Sequence, residues 1–284
     1  MGRTGVPLSR FFWRGRQLFH GGEMNKKILM PKHLRLPFFG RDREALLITA
    51  DGAIFVGSRK MDKDDDLFIY NSNTDCMPTF TGPGAIVPFP YSFLTETGKF
   101  FHRQTSNRKQ LKKAKREVLR AFPHFHHLRL KWIFVLTYWD MGHRRSHGRV
   151  RNAFQSITAT DGRHTFAIFY YAKLQSKAEP SATRKIADAW SGNVAESEEL
   201  GDAAFYSGSH DNGFAYIEGS CSNRMRHLLL AHSNLAGGGR RGVWVYRIDE
   251  SRIKSPACAE PAHHIGTNEE VLQACSAVGS STDD

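Results

Sequence analysis

Trp132–Tyr171 reads WIFVLTYWDMGHRRSHGRVRNAFQSITATDGRHTFAIFYY. Three apolar, aromatic and β-branched runs stand close together here, the residue types that fit a pleated, packed surface. A polar, basic loop separates the first run from the second. Asp161-Gly162 separates the second from the third. Glycine enters positive φ without steric cost, so such a dipeptide joins antiparallel strands in a tight turn. The stretch therefore predicts a β-meander.

The same signal occurs upstream. Leu46–Ala50 and Ala53–Gly57 flank Asp51-Gly52, which predicts a second hairpin. Phe80–Pro90 holds three prolines and reads as extended or turning chain. Lys99–Arg103, Ala203–Tyr206, Gly213–Ile217 and Val243–Ile248 are further strand candidates, whereas Asn223–His232 fits either helix or irregular chain. Arg108–Phe122 is the one strong helix. Asn107 caps it, with Gln110 placed to complete a capping box, and Pro123 stops it. Leu111, Ala114, Val118 and Phe122 share one face. Lys109, Lys112, Lys113, Lys115, Arg116 and Arg120 occupy the other. The expected fold is mainly β with an α+β margin: antiparallel sheets with β-hairpins and one amphipathic helix packed against them.

Residues 1–30 are rich in Arg and Gly, without sustained periodicity, and read as a poorly ordered basic leader. Residues 31–250 form the expected domain. Residues 251–284 read as a flexible tail or the truncated start of a following module. There is no apolar run long enough for a transmembrane helix, and the N-terminus lacks the apolar core of a signal peptide.

The net charge of +12 favours polyanionic partners such as sulfated glycan, nucleic acid or anionic lipid. The six helix cations are the candidate polyanion-binding residues. Phe122, the helix's only aromatic, lies on its apolar face. That favours glycan or a membrane surface over nucleic acid, which gains from aromatic stacking.

Other patterns fit structure better than chemistry. Gly237, Gly239 and Gly242 match a dinucleotide fingerprint, but a strand follows where a helix is needed. His124, His126 and His127, with His143 and His147, lie beside Pro123 or in an Arg-rich loop, whose charge opposes a cation. Ser209-His210-Asp211 is adjacent in sequence, which is not the convergence in space that a hydrolase triad requires. Asp62, Asp64 and Asp66 alternate as in a calcium loop, yet Leu67 and Asn73 stand where that loop needs Gly and Glu. No cofactor, metal or catalytic residue is assigned, and a hydrolase is the weakest alternative. The four cysteines, Cys76, Cys221, Cys258 and Cys275, form no CxxC pair. In an oxidising compartment Cys258 and Cys275 are the candidate disulfide, with Cys76 and Cys221 as the leftover pairing; three pairings, or four free thiols, stay open.

Several segments in order resemble a nidogen-type extracellular (NIDO) domain, as in nidogens, tectorins and related adhesion proteins. They are LPFFGRDREALLITADGAIFVG (Leu36–Gly57), GAIVPFPYSFLTETGKFFHRQTSN (Gly84–Asn107), REVLRAFP (Arg116–Pro123), KWIFVLTYWDMG (Lys131–Gly142), NAFQSITATDGRHTFAIFYY (Asn152–Tyr171), AFYSG (Ala204–Gly208) and HSNLAGGGRRGVWVYRIDE (His232–Glu250). TADG replaces the family's STNG-like turn, and PFPYSFLTETG lacks its usual Trp and acidic pair. The resemblance implies a non-enzymatic extracellular module in cell–matrix adhesion, with a matrix or cell-surface protein, or a sulfated glycan, as partner. It also implies that Cys258 and Cys275 open a following module. With no signal peptide present, it implies a fragment or an incomplete gene model.

Overall fold

The three runs of Trp132–Tyr171 become three long neighbouring strands, and both of their faces are buried. In the computed structural model we describe residues 16–17, 25–49, 52–61, 68–71, 78–89, 93–94, 97–143, 150–175, 184–185, 203–208, 213–217, 225–235 and 240–256. Among them, one sheet runs in the order β1 (Arg16–Gln17), β11 (Lys99–Thr105), β12 (Trp132–His143), β13 (Arg151–Thr160), β14 (Thr165–Leu174) and β18 (Val243–Arg247). The short β10 (Phe93–Leu94) also pairs with β12. All of its pairings are antiparallel.

A second antiparallel sheet runs in the order β17 (Phe214–Tyr216), β16 (Ala204–Tyr206), β9 (Gly84–Val87), β6 (Ile54–Gly57), β5 (Ala45–Thr49) and β2 (Asn25–Leu29). Smaller ribbons join β3 (Leu36–Phe38) to β4 (Arg41–Arg43), and β7 (Phe68–Asn71) to β8 (Pro78–Thr81) and β15 (Arg184–Lys185). Helix α1 (Arg108–Ala121) and the short α2 (Met225–Ala231) complete the regular elements among the described residues, with a 3-10 turn at Pro123–Phe125. The fold is mainly β, as the sequence predicts.

Strand side chains alternate between faces, and each face has its own core. Trp132, Phe134, Leu136, Tyr138, Phe154, Phe169, Tyr171, Trp244 and Tyr246 meet Leu46, Ile48, Ile54, Val56, Ile86 and Phe205 of the second sheet. The intervening Ile133, Val135, Ile157, Phe166, Ile168, Val243 and Val245 meet Ala114, Val118 and Ala121 of α1. The order is therefore helix, sheet, sheet. Two tyrosines tie the sheets together through polar atoms. Tyr138 Oη donates to Thr49 O at 2.8 Å, and Tyr171 Oη donates to Pro88 O at 2.6 Å. Each ring stays in the core while its hydroxyl is satisfied, which removes the cost of burying it.

The meander's turn is longer than a two-residue hairpin. Thr160 pairs with Thr165, leaving a four-residue loop, residues 161–164. The Asp161 side chain builds this loop: Oδ1 accepts from Arg163 N and His164 N at 2.8 and 2.7 Å, and Oδ2 lies 3.0 Å from His164 Nδ1. Gly162 sits at φ +93°. A second irregularity interrupts β12, whose register shifts between Tyr138 and Met141. Asp140 takes φ +52° there and Gly98 packs directly on its backbone, where a Cβ has no room.

Two boundaries shift from those expected. Asn25–Leu29 pairs with β5 and buries Ile28, so the paired region begins inside the stretch read as leader. Its lysines hide the periodicity: Lys27 Nζ spans the strand edge to donate to Met61 O at 2.8 Å. At the other end, Ile253 is buried and Arg247 and Lys254 exchange backbone hydrogen bonds. Asn234 also bonds both backbone polar groups of Val245, so a single side chain satisfies part of the edge of β18. Residues 1–15, 18–24 and 257–284, the Asp62–Asp66 loop, and all four cysteines lie outside the described residues.

Burial opposes charge on Asp161, but its bonds from His164 and Arg163 outweigh that and hold the carboxyl below the ordinary carboxylate range. The folded pKa is thus depressed, so the stabilisation is complete above the unfolded carboxyl value and is lost as pH falls through the folded one. Asp161→Ala is expected to cost about 1–2 kcal/mol at neutral pH. Urea melts of both proteins at pH 7 and in strong acid check this. A gap that stays constant into acid would contradict the assignment.

A cationic surface on helix α1

Helix α1 begins as the sequence predicts, with one exception. Asn107 Oδ1 accepts from Lys109 N at 3.0 Å. The reciprocal half of the capping box is not made. Asn107 N donates instead to Thr105 Oγ1 at 3.0 Å, and Gln110 Oε1 is buried without a partner among the described residues. Thr105 at the end of β11 has taken the donor that Gln110 would have satisfied. At the far end Phe122 N bonds Val118 O at 2.7 Å, and Pro123 then starts the 3-10 turn. Phe122 and Phe125 pack on Phe166 at ring separations of 5.8 and 5.2 Å.

The six predicted cations are brought to one helix but not to one face. Lys109, Lys112 and Arg116 are exposed, and none of the three pairs with a carboxylate among the described residues. With Arg120 they form a ridge at spacings of three and four residues, about 16 Å long at the helical rise. Arg108, which sequence reading left out of the site, is exposed at the helix start. Lys115 lies on one flank, where its Nζ donates to His126 O at 2.8 Å. Lys113 lies on the other flank, half-buried.

Beside Lys113 is the helix's only acidic residue. Glu117 is 4% exposed on the sheet-facing side. Arg120 Nη1 donates to both of its oxygens at 3.0 and 2.9 Å, and Arg240 Nη2 donates to Oε1 at 2.5 Å. Arg240 comes from the segment before β18 and is thereby anchored to the helix. Below them a polar row crosses the sheet. Gln155 Nε2 donates to Thr137 Oγ1 at 2.7 Å, and Tyr170 is the cross-strand neighbour of Gln155. Burial, reinforced by the Glu117 carboxylate, pushes the Tyr170 hydroxyl well above its ordinary range, so it stays protonated. Burial lowers the Lys113 ammonium to about 8. Glu117 works against that shift, while Arg116 and Arg240 add to it.

Arg240 and Glu117 are the residues that sequence reading missed. Arg240 stands in AGGGRRG, which reads as a turn, and it lies 123 positions from its partner. The available signal was Glu117 itself, a lone carboxylate at the margin of the apolar face.

Among the described residues the other candidates do not assemble into a site. His124, His126 and His127 are exposed around the 3-10 turn, with the rings of His126 and His127 3.8 Å apart. Among the described residues no group of three or more His, Cys, Asp or Glu could hold a metal ion. His143 lies in β12, and β18 follows Gly242 directly, so no helix N-terminus faces that glycine. His147, Gly237, Gly239, Ser209, His210 and Asp211 lie outside the described residues. No helix among the described residues is long and apolar enough to cross a membrane.

The ion triad is asymmetric. The Glu117 side chain is 5% exposed, whereas those of Arg120 and Arg240 are 55% and 50% exposed. Removing both arginines strands a buried charge, and removing the carboxylate releases two guanidinium groups to water. Arg120→Ala with Arg240→Ala should therefore cost about 2–3 kcal/mol, and Glu117→Gln about 1 kcal/mol, because water screens the exposed partners. Denaturant melts test the order.

A family profile described as a nidogen-like domain matches residues 65–250, well over half of the chain and including α1 and the whole Trp132–Tyr171 meander. No solved structure matches the chain.

Proposed function

The chain belongs to the nidogen-like domain family, and from that premise we propose that it is a non-enzymatic extracellular module acting in cell–matrix adhesion through protein or glycan binding. The family match carries this reading. The fold is consistent with it. Both faces of the central sheet are filled by core side chains, which leaves the helix exterior and the connecting segments to meet a partner.

A second reading is that the module binds a polyanion through α1, with sulfated glycan ahead of nucleic acid. The specific observation in its favour is the ridge of Lys109, Lys112 and Arg116, exposed and without carboxylate partners among the described residues. The only acidic residue of the helix is buried and already neutralised by two arginines. A surface of one sign concentrates counter-ions and steers a polyanion toward it.

The two readings separate in one experiment. The full chain is applied to cell-deposited matrix before and after enzymatic removal of sulfated glycans, beside an unrelated protein of equal net charge. Adhesion through a protein partner predicts saturable retention that survives both glycan removal and the Lys112→Ala, Lys113→Ala, Arg116→Ala triple change. Polyanion binding predicts that either treatment abolishes most of it. Retention no greater than that of the control protein would defeat both.

A further inference from the structure

We infer that Arg240, anchored by Glu117 beside Lys113 and Arg116, completes a two-element docking surface for sulfated glycan together with the α1 ridge. The inference rests on the polyanion reading above and adds a residue and a regulation to it.

The geometry is specific. Glu117 accepts from Arg240 through one oxygen while Arg120 spans both, so the carboxylate is saturated from two directions. Its role is to position rather than to repel. Half of the Arg240 side chain remains exposed, with donors left for an incoming anion. Lys113, Arg116 and Glu117 lie within about one turn of α1, and Arg240 bonds Glu117, so its guanidinium stands on the Lys113 flank of the ridge. A linear polyanion lying along α1 would therefore meet Lys109, Lys112 and Arg116 from the helix and Arg240 from the segment before β18. Guanidinium forks bind sulfate oxygens in pairs, whereas lysines act as point charges.

Other polyanions fit less well. The ridge offers no aromatic for base stacking, since Phe122 is buried against Phe166. It also offers no apolar anchor for lipid. Among the described residues Leu29, on β2, is the only exposed large hydrophobic.

Docking carries a proton consequence. Lys113 faces Glu117, Arg116 and Arg240, with Tyr170 and Arg120 around the same carboxylate, and its ammonium loses protons near pH 8. An anion placed over this cluster favours the charged form, so binding takes up a proton. Affinity should accordingly fall as pH rises through about 8.

The test measures heparin binding by the full chain at fixed salt. Lys109→Gln with Lys112→Gln and Arg116→Gln is the ridge variant. Lys26→Gln with Lys32→Gln and Lys60→Gln is the control, removing equal charge from exposed positions elsewhere. The ridge variant should weaken binding by at least about tenfold, and the control by less than about threefold. Arg240→Gln should weaken it about as much as Lys112→Gln, with Lys60→Gln close to wild type. Arg240→Lys, which keeps the charge, and a thermal melt of each variant guard against a folding defect. Between pH 7 and 9 the wild type should lose affinity, while Lys113→Arg, which stays charged, should not.

If the ridge and control variants behave alike, the polyanion reading falls. If the ridge variant is weak but Arg240→Gln matches Lys60→Gln, only the present inference falls. Duplex DNA or phosphatidylserine vesicles competing as well as heparin at equal charge would overturn the glycan assignment.

Discussion

Burial of both faces of the β12–β13–β14 meander is the constraint on which the other elements depend. A half-buried antiparallel sheet needs one apolar face, but here each strand must satisfy two. From Trp132 to Tyr138, even-numbered positions of β12 meet the second sheet and odd-numbered positions face α1; the register shift before Met141 then returns an odd-numbered side chain to the inter-sheet core. Because side chains alternate strictly, a one-residue slip in register would exchange the two interfaces. Phe134 and Tyr138 would then press on a helix face already filled by Ala114, Val118 and Ala121. The devices around the meander act against such a slip. Asp161 fixes the loop that pairs Thr160 with Thr165, and Tyr138 and Tyr171 bond backbone carbonyls across the sandwich, contacts that a slip would break.

The polar groups within this sandwich follow from the same geometry. On β13, Gln155 faces the helix, while Ser156 and Thr158 face the second sheet and are buried. Side chains this small let large neighbours fill the layer: Leu136 and Phe169 flank Ser156, and Phe134 flanks Thr158. On the helix side, the row Thr137–Gln155–Tyr170 lies below Glu117. Polar groups in the sheet thus stand beneath the buried Glu117 carboxylate. A carboxylate so deeply buried is tolerable only when paired and hydrogen-bonded, and the two arginines supply both. One of them comes from the far end of the chain, so the same interaction fixes the approach to β18.

Much of this architecture was legible in the sequence. The Asp-Gly signals marked both hairpins, and Asn107 with Pro123 bounded α1 closely, because these depend on local chemistry. What escaped was non-local. The strand Asn25–Leu29 holds two adjacent lysines, one of which reaches back to the Met61 carbonyl, so its pattern reads as solvated leader. The capping box failed because Thr105 competes for the same N–H, and that competition exists only once β11 runs into the helix. The six helix cations looked equivalent on a helical wheel. The fold divides them into an exposed ridge, a flank tied to the His126 carbonyl, and a lysine drawn toward Glu117.

That division changes what a cationic helix means here. Lysines and arginines on a helix are usually a solvated face, each worth little beyond solubility. The surface of α1 differs in how its counter-charge is arranged. Its one carboxylate is withdrawn into the helix–sheet interface and occupied by Arg120 and Arg240, so it does not neutralise Lys109, Lys112 or Arg116 on the outside. An acidic residue at an exposed position of the same helix would have paired with the ridge in the ordinary i, i+4 manner and quenched its field. Buried Glu117 instead draws a further guanidinium to the surface from outside the helix. The interaction that secures β18 to α1 therefore also concentrates positive charge where the fold leaves a face uncovered, and stability and surface potential share one origin.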